Sequence, residues 1–122
     1  MNPRILIVDD EPNIVVSLEY LMKKEGFQVA VAVDGEEALV KIATFKPDLV
    51  LLDVMMPKKS GYEVCQEIRA NPEQAGIKVM MLTAKGRDTE VAKGLALGAD
   101  AYVTKPFSTK ELVAQVKAML AA

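Results

Sequence analysis

The feature that most constrains this chain is a set of apolar runs, each too short to be a helix. Ile5–Val8, Leu49–Leu52, Val79–Leu82 and Ala101–Val103 are of this kind, and Gln28–Val33 is a fifth, valine-rich stretch with less regular alternation. Short runs enriched in Val and Ile read as strands buried on both faces. Between them lie segments with helical spacing. Pro12–Lys24 sets Ile14, Leu18, Leu21 and Met22 on one side and meets a stop at Gly26. Glu36–Ala43 follows an Asp34–Gly35 turn and turns Ala38, Leu39 and Ile42 inward. Gly61–Ala70 carries Val64, Cys65 and Ile68 until Asn71–Pro72 breaks it, and Asp88–Leu97 carries Val91, Ala92 and Leu95 up to Gly98. Ser108–Leu120 opens with Ser108 and Glu111 in a capping-box pattern and presents Leu112, Val113, Val116, Met119 and Leu120. The order is β-α five times. Regular alternation with near-continuous apolar strands predicts a parallel sheet covered by helices on both faces.

Composition narrows the function classes. At 122 residues, 51% hydrophobic and 26% charged, the chain fits one globular domain, expected to span residues 1–122, that needs no disulfide or metal staple. The net charge of −2, with no strong basic stripe, speaks against direct nucleic-acid binding. The chain has no histidine, which removes the commonest general base and metal ligand. Its one cysteine, Cys65, reads as a small buried hydrophobe in a reducing compartment. The stretch MNPRILIVDDE has no leader pattern and no apolar run approaches membrane-spanning length, so a cytoplasmic protein without membrane contact is expected.

Polar residues gather where the strands end. The first strand runs into Asp9, Asp10 and Glu11, the third ends at Asp53, the fourth at Thr83, and the fifth at Thr104 and Lys105. Ligands of open parallel sheets bind beyond the carboxyl ends of the strands, where the strand order reverses. In the flavodoxin-like order 2-1-3-4-5 that point lies between strands one and three. Asp9, Asp10 and Asp53 then meet in one crevice flanked by Thr83 and Lys105. Three carboxylates this close repel unless a cation neutralises them, and Mg²⁺, a hard ion that prefers oxygen, suits the need better than zinc. A carboxylate beside Mg²⁺ is also a nucleophile for phosphoryl transfer. Lys105 and the Thr83 hydroxyl are placed to stabilise charge on the phosphoryl oxygens. Taken singly, each residue reads as an ordinary loop carboxylate, surface lysine or strand-end hydroxyl; their coincidence makes the site.

The chain resembles bacterial two-component response-regulator receiver domains, related to chemotaxis regulators, over essentially its full length. The matching segments are ILIVDDEP at Ile5–Pro12, DLVLLDVMMPKKSGYEV at Asp48–Val64, MLTAK at Met81–Lys85 and GADAYVTKPF at Gly98–Phe107. The resemblance implies an α/β, flavodoxin-like (βα)5 three-layer sandwich whose five-stranded parallel sheet has the order 2-1-3-4-5. It implies Asp53 as phosphoacceptor, Asp10 as direct Mg²⁺ ligand, Asp9 acting mainly through water, and the Met55 backbone carbonyl completing the set. Thr83 is implied as the hydroxyl that moves towards the phosphoryl group, Lys105 as the lysine that pairs with it, and Tyr102 as the switch aromatic. A cis Lys105–Pro106 peptide is implied as well. The expected donor is a sensor histidine kinase or phosphotransfer protein, and the expected receiver of the signal is an output domain or protein. The domain would catalyse only its own phosphorylation and dephosphorylation.

Some positions depart from the family's commonest patterns. Lys58, Lys59 and Ser60 make the loop after Pro57 basic, and read as a solvated loop. Ala101 replaces a second acidic residue common in the winged-helix branch, and Gln115 and Lys117 stand where that branch favours arginine. A monomer, or a weak phosphorylation-dependent dimer, is expected. Three alternative functions compete with this reading. A haloacid-dehalogenase-like phosphatase would carry an Asp-x-Asp-x-Thr run, absent here. A flavodoxin-like cofactor binder would put glycine- and hydroxyl-rich loops where this chain puts carboxylates. An interaction module that is never phosphorylated would have no need of Asp9, Asp10, Asp53, Thr83 and Lys105 together.

Overall fold

A computed structural model describes residues 2–56, 58–84, 88–105 and 107–121. The elements alternate as β1 Arg4–Val8, α1 Pro12–Lys24, β2 Gln28–Ala32, α2 Gly35–Phe45, β3 Leu49–Asp53, α3 Gly61–Ala70, a 3-10 turn Pro72–Gln74, β4 Lys78–Ala84, α4 Asp88–Ala96, β5 Ala101–Lys105 and α5 Thr109–Ala121. All four strand pairings are parallel and the sheet order is β2-β1-β3-β4-β5. This is the flavodoxin-like fold expected from the sequence. The last two strands run further than their apolar runs, because the pairs Thr83–Thr104 and Ala84–Lys105 continue the ladder through polar residues.

Both faces of the sheet are buried, which is why its strands read as continuous apolar runs. Ile5, Ile7, Leu49, Leu51, Met80 and Leu82 point to one face, where Leu18 and Met22 of α1 and Leu112 and Val116 of α5 cover them. Leu6, Val8, Val50, Leu52, Val79 and Met81 point to the other, under Ala38 and Ile42 of α2 and Val64, Cys65 and Ile68 of α3. Burying each large aliphatic side chain is worth about 1.5–3 kcal/mol, so these two layers supply the main driving force for folding. Cys65 is fully buried, burial pushes its thiol pKa up, and its Sγ lies 3.6 Å from the Leu97 carbonyl oxygen. It behaves as the small core residue the sequence suggested.

Helix α4 departs from expectation. Ala92 and Leu95 face solvent, Leu95 being 43% exposed, whereas Gly94 is buried. A Cβ on Gly94 would come within 3.4 Å of Met81 Cγ, so the helix approaches β4 through its glycine. Counting apolar side chains alone puts the inner face one position too far along.

At the other end of α4, Arg69 ties three segments together. Its guanidinium donates to the carbonyls of Gly98 (2.8 Å) and Ile77 (2.7 Å) and pairs with Asp100 (2.6 Å). Asp100 also accepts the Val79 amide at 2.8 Å, which joins the turn before β5 to the start of β4. No helix among the described residues is long and apolar enough to cross a membrane. The expected cis bond at Lys105–Pro106 lies outside the described residues.

Candidate functional site

β1 and β3 are hydrogen-bonded neighbours at the centre of the sheet, and the chain leaves them towards opposite edges. Their carboxyl ends therefore open a crevice between diverging connections. Asp9 follows β1 directly and is fully buried. Its Oδ1 accepts the Glu11 backbone amide at 3.0 Å, and its Oδ2 lies 2.9 Å from Lys105 Nζ. Asp53, the last residue of β3, is also buried, while Asp10 is exposed. The three side chains each offer a carboxylate oxygen within 4.8 Å of the others. The sequence-predicted trio does converge.

The loop after Asp53 is held tightly. Val54 donates to the Leu82 carbonyl at 3.2 Å, and Gly61 donates back to the Val54 carbonyl at 2.9 Å. A Cβ on Gly61 would fall on the Asp53 carbonyl oxygen, and one on Gly35 would fall on that of Lys59. The two glycines thus let the loop fold down beside the site. The basic segment is solvent-exposed at Lys58, as the sequence suggests, and carries surface ion pairs. Lys58 pairs with Asp34 at 3.6 Å, Lys59 pairs with Glu67 at 3.2 Å, and Ser60 forms a capping box with Glu63 that starts α3.

Above Asp53 is a cavity of about 140 Å³ lined by Asp53, Met55, Thr83, Lys105 and Glu11, among others. Thr83 is 2% exposed, and its Oγ1 has no hydrogen-bond partner among the described residues. A buried hydroxyl left unpaired is costly, so its survival in the cavity wall marks a place for an incoming acceptor. Lys105, at the end of β5, reaches across to Asp9, to Glu11 at 3.2 Å and to Asp53 at 3.5 Å. Tyr102 does not line this cavity; it stands 44% exposed on β5, in register with Met81.

Electrostatics make the arrangement incomplete without a cation or an anion-binding step. Burial pushes the Asp53 carboxyl up to about 7, and the Asp9 charge adds to the rise. Lys105 and a backbone hydrogen bond from Met55 oppose it, and Asp10 contributes a further small push. Burial alone would lower the Lys105 pKa, but the hydrogen bond with Asp9 and the charges of Asp53 and Asp9 more than reverse this and raise it. Among the described residues, Lys105 faces more negative charge than it balances. The surplus, presented as oxygen donors with no nitrogen or sulfur, fits a hard divalent cation.

The family model described as "Response regulator receiver domain" matches residues 5–117. The chain belongs to the response-regulator receiver family. It is a receiver domain of the two-component type, with a phosphoacceptor role in signalling, and the phosphatase alternative is not favoured. It is 51% identical over 120 residues to the alkaline phosphatase synthesis transcriptional regulatory protein PhoP of Bacillus subtilis, covering 98% of this chain and 49% of that protein. It is 48% identical to the phosphate regulon transcriptional regulatory protein PhoB of Rhizobium meliloti, over 98% of this chain and 53% of that one. The chain thus spans about half the length of these curated relatives. Among solved structures, a response regulator from Chloroflexus aurantiacus is similar at TM-score 0.96 with 37% identity, each chain covered in full.

Two features of the site were not read from the sequence. Glu11 belongs to the acidic run, but its pairing with Lys105 is a contact across 94 residues that no local pattern reveals. Gly61 starts α3, as its place in the sequence suggests, and its lack of a side chain also allows the loop to pass against Asp53.

Proposed function

We propose that Asp53 is the phosphoacceptor of this receiver, and that residues 1–122 form one such domain working in the cytoplasm. The supporting observation is the convergence of the Asp9, Asp10 and Asp53 carboxylates beside a cavity that Asp53 shares with Lys105 and the unpaired Thr83 hydroxyl. In the transfer, an Asp53 carboxylate oxygen bonds to phosphorus as the P–N bond to a donor imidazole breaks. The electron pair leaves with that nitrogen. These 122 residues include no histidine, so the donor we propose is a phosphohistidine outside them, on a sensor kinase or phosphotransfer protein.

Asp10 and Asp53, the Met55 backbone carbonyl, and Asp9 acting through water would hold a Mg²⁺ ion. When bound, it neutralises charge on the phosphoryl oxygens. Lys105 gives up part of its hold on the carboxylates to pair with one phosphoryl oxygen, and Thr83 donates to another. The domain turns over no other substrate. Its curated relatives are transcriptional regulators about twice its length, so an output domain or protein is its proposed downstream partner, and it makes no direct nucleic-acid contact itself.

Intact-mass analysis after incubation with acetyl phosphate and Mg²⁺ tests the assignment. One added phosphoryl group is expected on the wild type and none on Asp53→Asn. Full labelling of the variant, or peptide mapping to another residue, would remove Asp53 from the role.

A further inference from the structure

Glu11 precedes α1 and occupies its N-cap position, yet its side chain makes no capping hydrogen bond. Asp, Asn, Ser and Thr are the usual residues there, because a short side chain reaches back to the first free amides. Glu11 instead reaches outward. Its Oε1 lies 3.2 Å from Lys105 Nζ, and its side chain lines the cavity above Asp53. It stands outside the trio Asp9, Asp10 and Asp53, whose oxygens lie within 4.8 Å of one another, so its charge acts on the lysine side of the cavity. The helix terminus therefore does not account for this side chain, and neither does the acidic trio.

We propose that Glu11 is a positioning residue that holds Lys105 in reserve and selects against small dianionic phosphodonors. This rests on the reading that Asp53 accepts the phosphoryl group with the help of Lys105. Lys105 Nζ is shared among Asp9 at 2.9 Å, Glu11 at 3.2 Å and Asp53 at 3.5 Å. Asp9 and Asp53 are buried and fixed, whereas the Glu11 side chain is 60% exposed and is the partner most easily displaced. An arriving phosphoryl group must draw Lys105 from this set while passing a carboxylate at the cavity wall. A free dianion meets that repulsion unaided. A protein donor covers the exposed carboxylate with its own surface and so relieves it. The same competition weakens the lysine's grip on a phosphoryl oxygen once it arrives.

The test is the rate of phosphorylation by acetyl phosphate at saturating Mg²⁺, for wild type, Glu11→Gln and Glu73→Gln. Glu73 lies in the 3-10 turn before β4, at the opposite end of the strands, and controls for net charge. At low ionic strength Glu11→Gln should react about two- to five-fold faster than wild type, the range of a partly exposed ion pair, with Glu73→Gln unchanged. The advantage should fade as salt approaches about 1 M, where the screening length falls to about 3 Å. A rate equal to or below wild type, an equal gain in Glu73→Gln, or a gain that salt does not reduce would each overturn the proposal. Failure of the wild type to take up phosphate at Asp53 would instead overturn the reading beneath it.

Discussion

Asp53 shows how a single buried carboxyl links function to stability. Its folded-state pKa of about 7 lies above the ordinary 3.8, so the folded protein holds a proton that the unfolded chain releases between these values. More protons bound when folded means that the contribution of this group to stability is fully present below about pH 4 and is lost as pH rises towards 7. Asp53→Asn removes that loss. Without divalent metal, the variant should match wild type near pH 4 and exceed it by about 2–4 kcal/mol at pH 8, since each pKa unit is worth about 1.4 kcal/mol. Urea denaturation in chelator at both pH values measures this, and parallel curves for the two proteins would exclude it. Millimolar Mg²⁺ should restore part of the lost stability to wild type at pH 8 by binding the folded state. Asp10 offers a second check. It is the exposed member of the trio, whereas both Asp9 oxygens are already engaged, by the Glu11 amide and by Lys105. Asp10→Asn should therefore weaken Mg²⁺ binding more than Asp9→Asn does. Equal affinity for wild type and Asp10→Asn by titration would show that Asp10 does not touch the metal.

Among the elements, α4 is held partly by one aromatic of the neighbouring helix. Gly94 is buried, whereas Ala92 and Leu95 face water. Tyr62 of α3 supplies part of the missing anchorage: its hydroxyl donates to the Glu90 carbonyl at 3.2 Å, and the Lys93 ammonium sits 4.5 Å from its ring centroid. Because Gly61 bonds to the loop after Asp53, this tyrosine couples that loop to α4 through one residue of helix. Tyr62→Phe keeps the ring and loses the hydroxyl contact, at a cost of about 0.5–1.5 kcal/mol. Amide exchange should quicken within Asp88–Ala96 while β1 and β3 keep their protection. Uniform quickening throughout would instead indicate a global loss of stability. Strands and helices with large apolar residues were legible in the sequence because burial on two faces leaves an unmistakable pattern. The inner face of α4 was not, since a buried glycine contributes nothing to an apolar count. The site's carboxylates were legible because each directly follows or ends a strand, whereas the Glu11–Lys105 pair depends on how β5 lies against the rest of the sheet.

At the scale of the whole molecule, the question is how charge placed on Asp53 reaches a partner. Phosphorylation adds up to two negative charges and several acceptor oxygens at the end of β3. The unpaired Thr83 hydroxyl lies in the same cavity wall, on the next strand, and gains a hydrogen bond by turning towards them. Thr83 pairs in register with Thr104, and Met81 with Tyr102, so Tyr102 stands two residues along β5 on the face covered by α4. Tyr102 is 44% exposed, and on the proposed route it should turn inwards when Thr83 withdraws. The changed surface is then α4, β5 and α5. The far end of α4 resists this motion, because Arg69 fixes the Gly98–Asp100 turn to α3 and the start of β4. Movement should therefore concentrate in the half of α4 near the site. The shift is one of populations, limited by how much better the phosphoryl group fits one state than the other. Beryllofluoride, a mimic of the aspartyl phosphate, provides the measurement. Its addition with Mg²⁺ should move the amide resonances of Thr83, Tyr102, the first turns of α4 and the adjoining part of α5, and leave Gly98 and Asp100 nearly in place. Shifts confined to the loop after Asp53, with Tyr102 and α4 silent, would refute this route. Equal displacement at both ends of α4 would show that Arg69 does not act as its pivot.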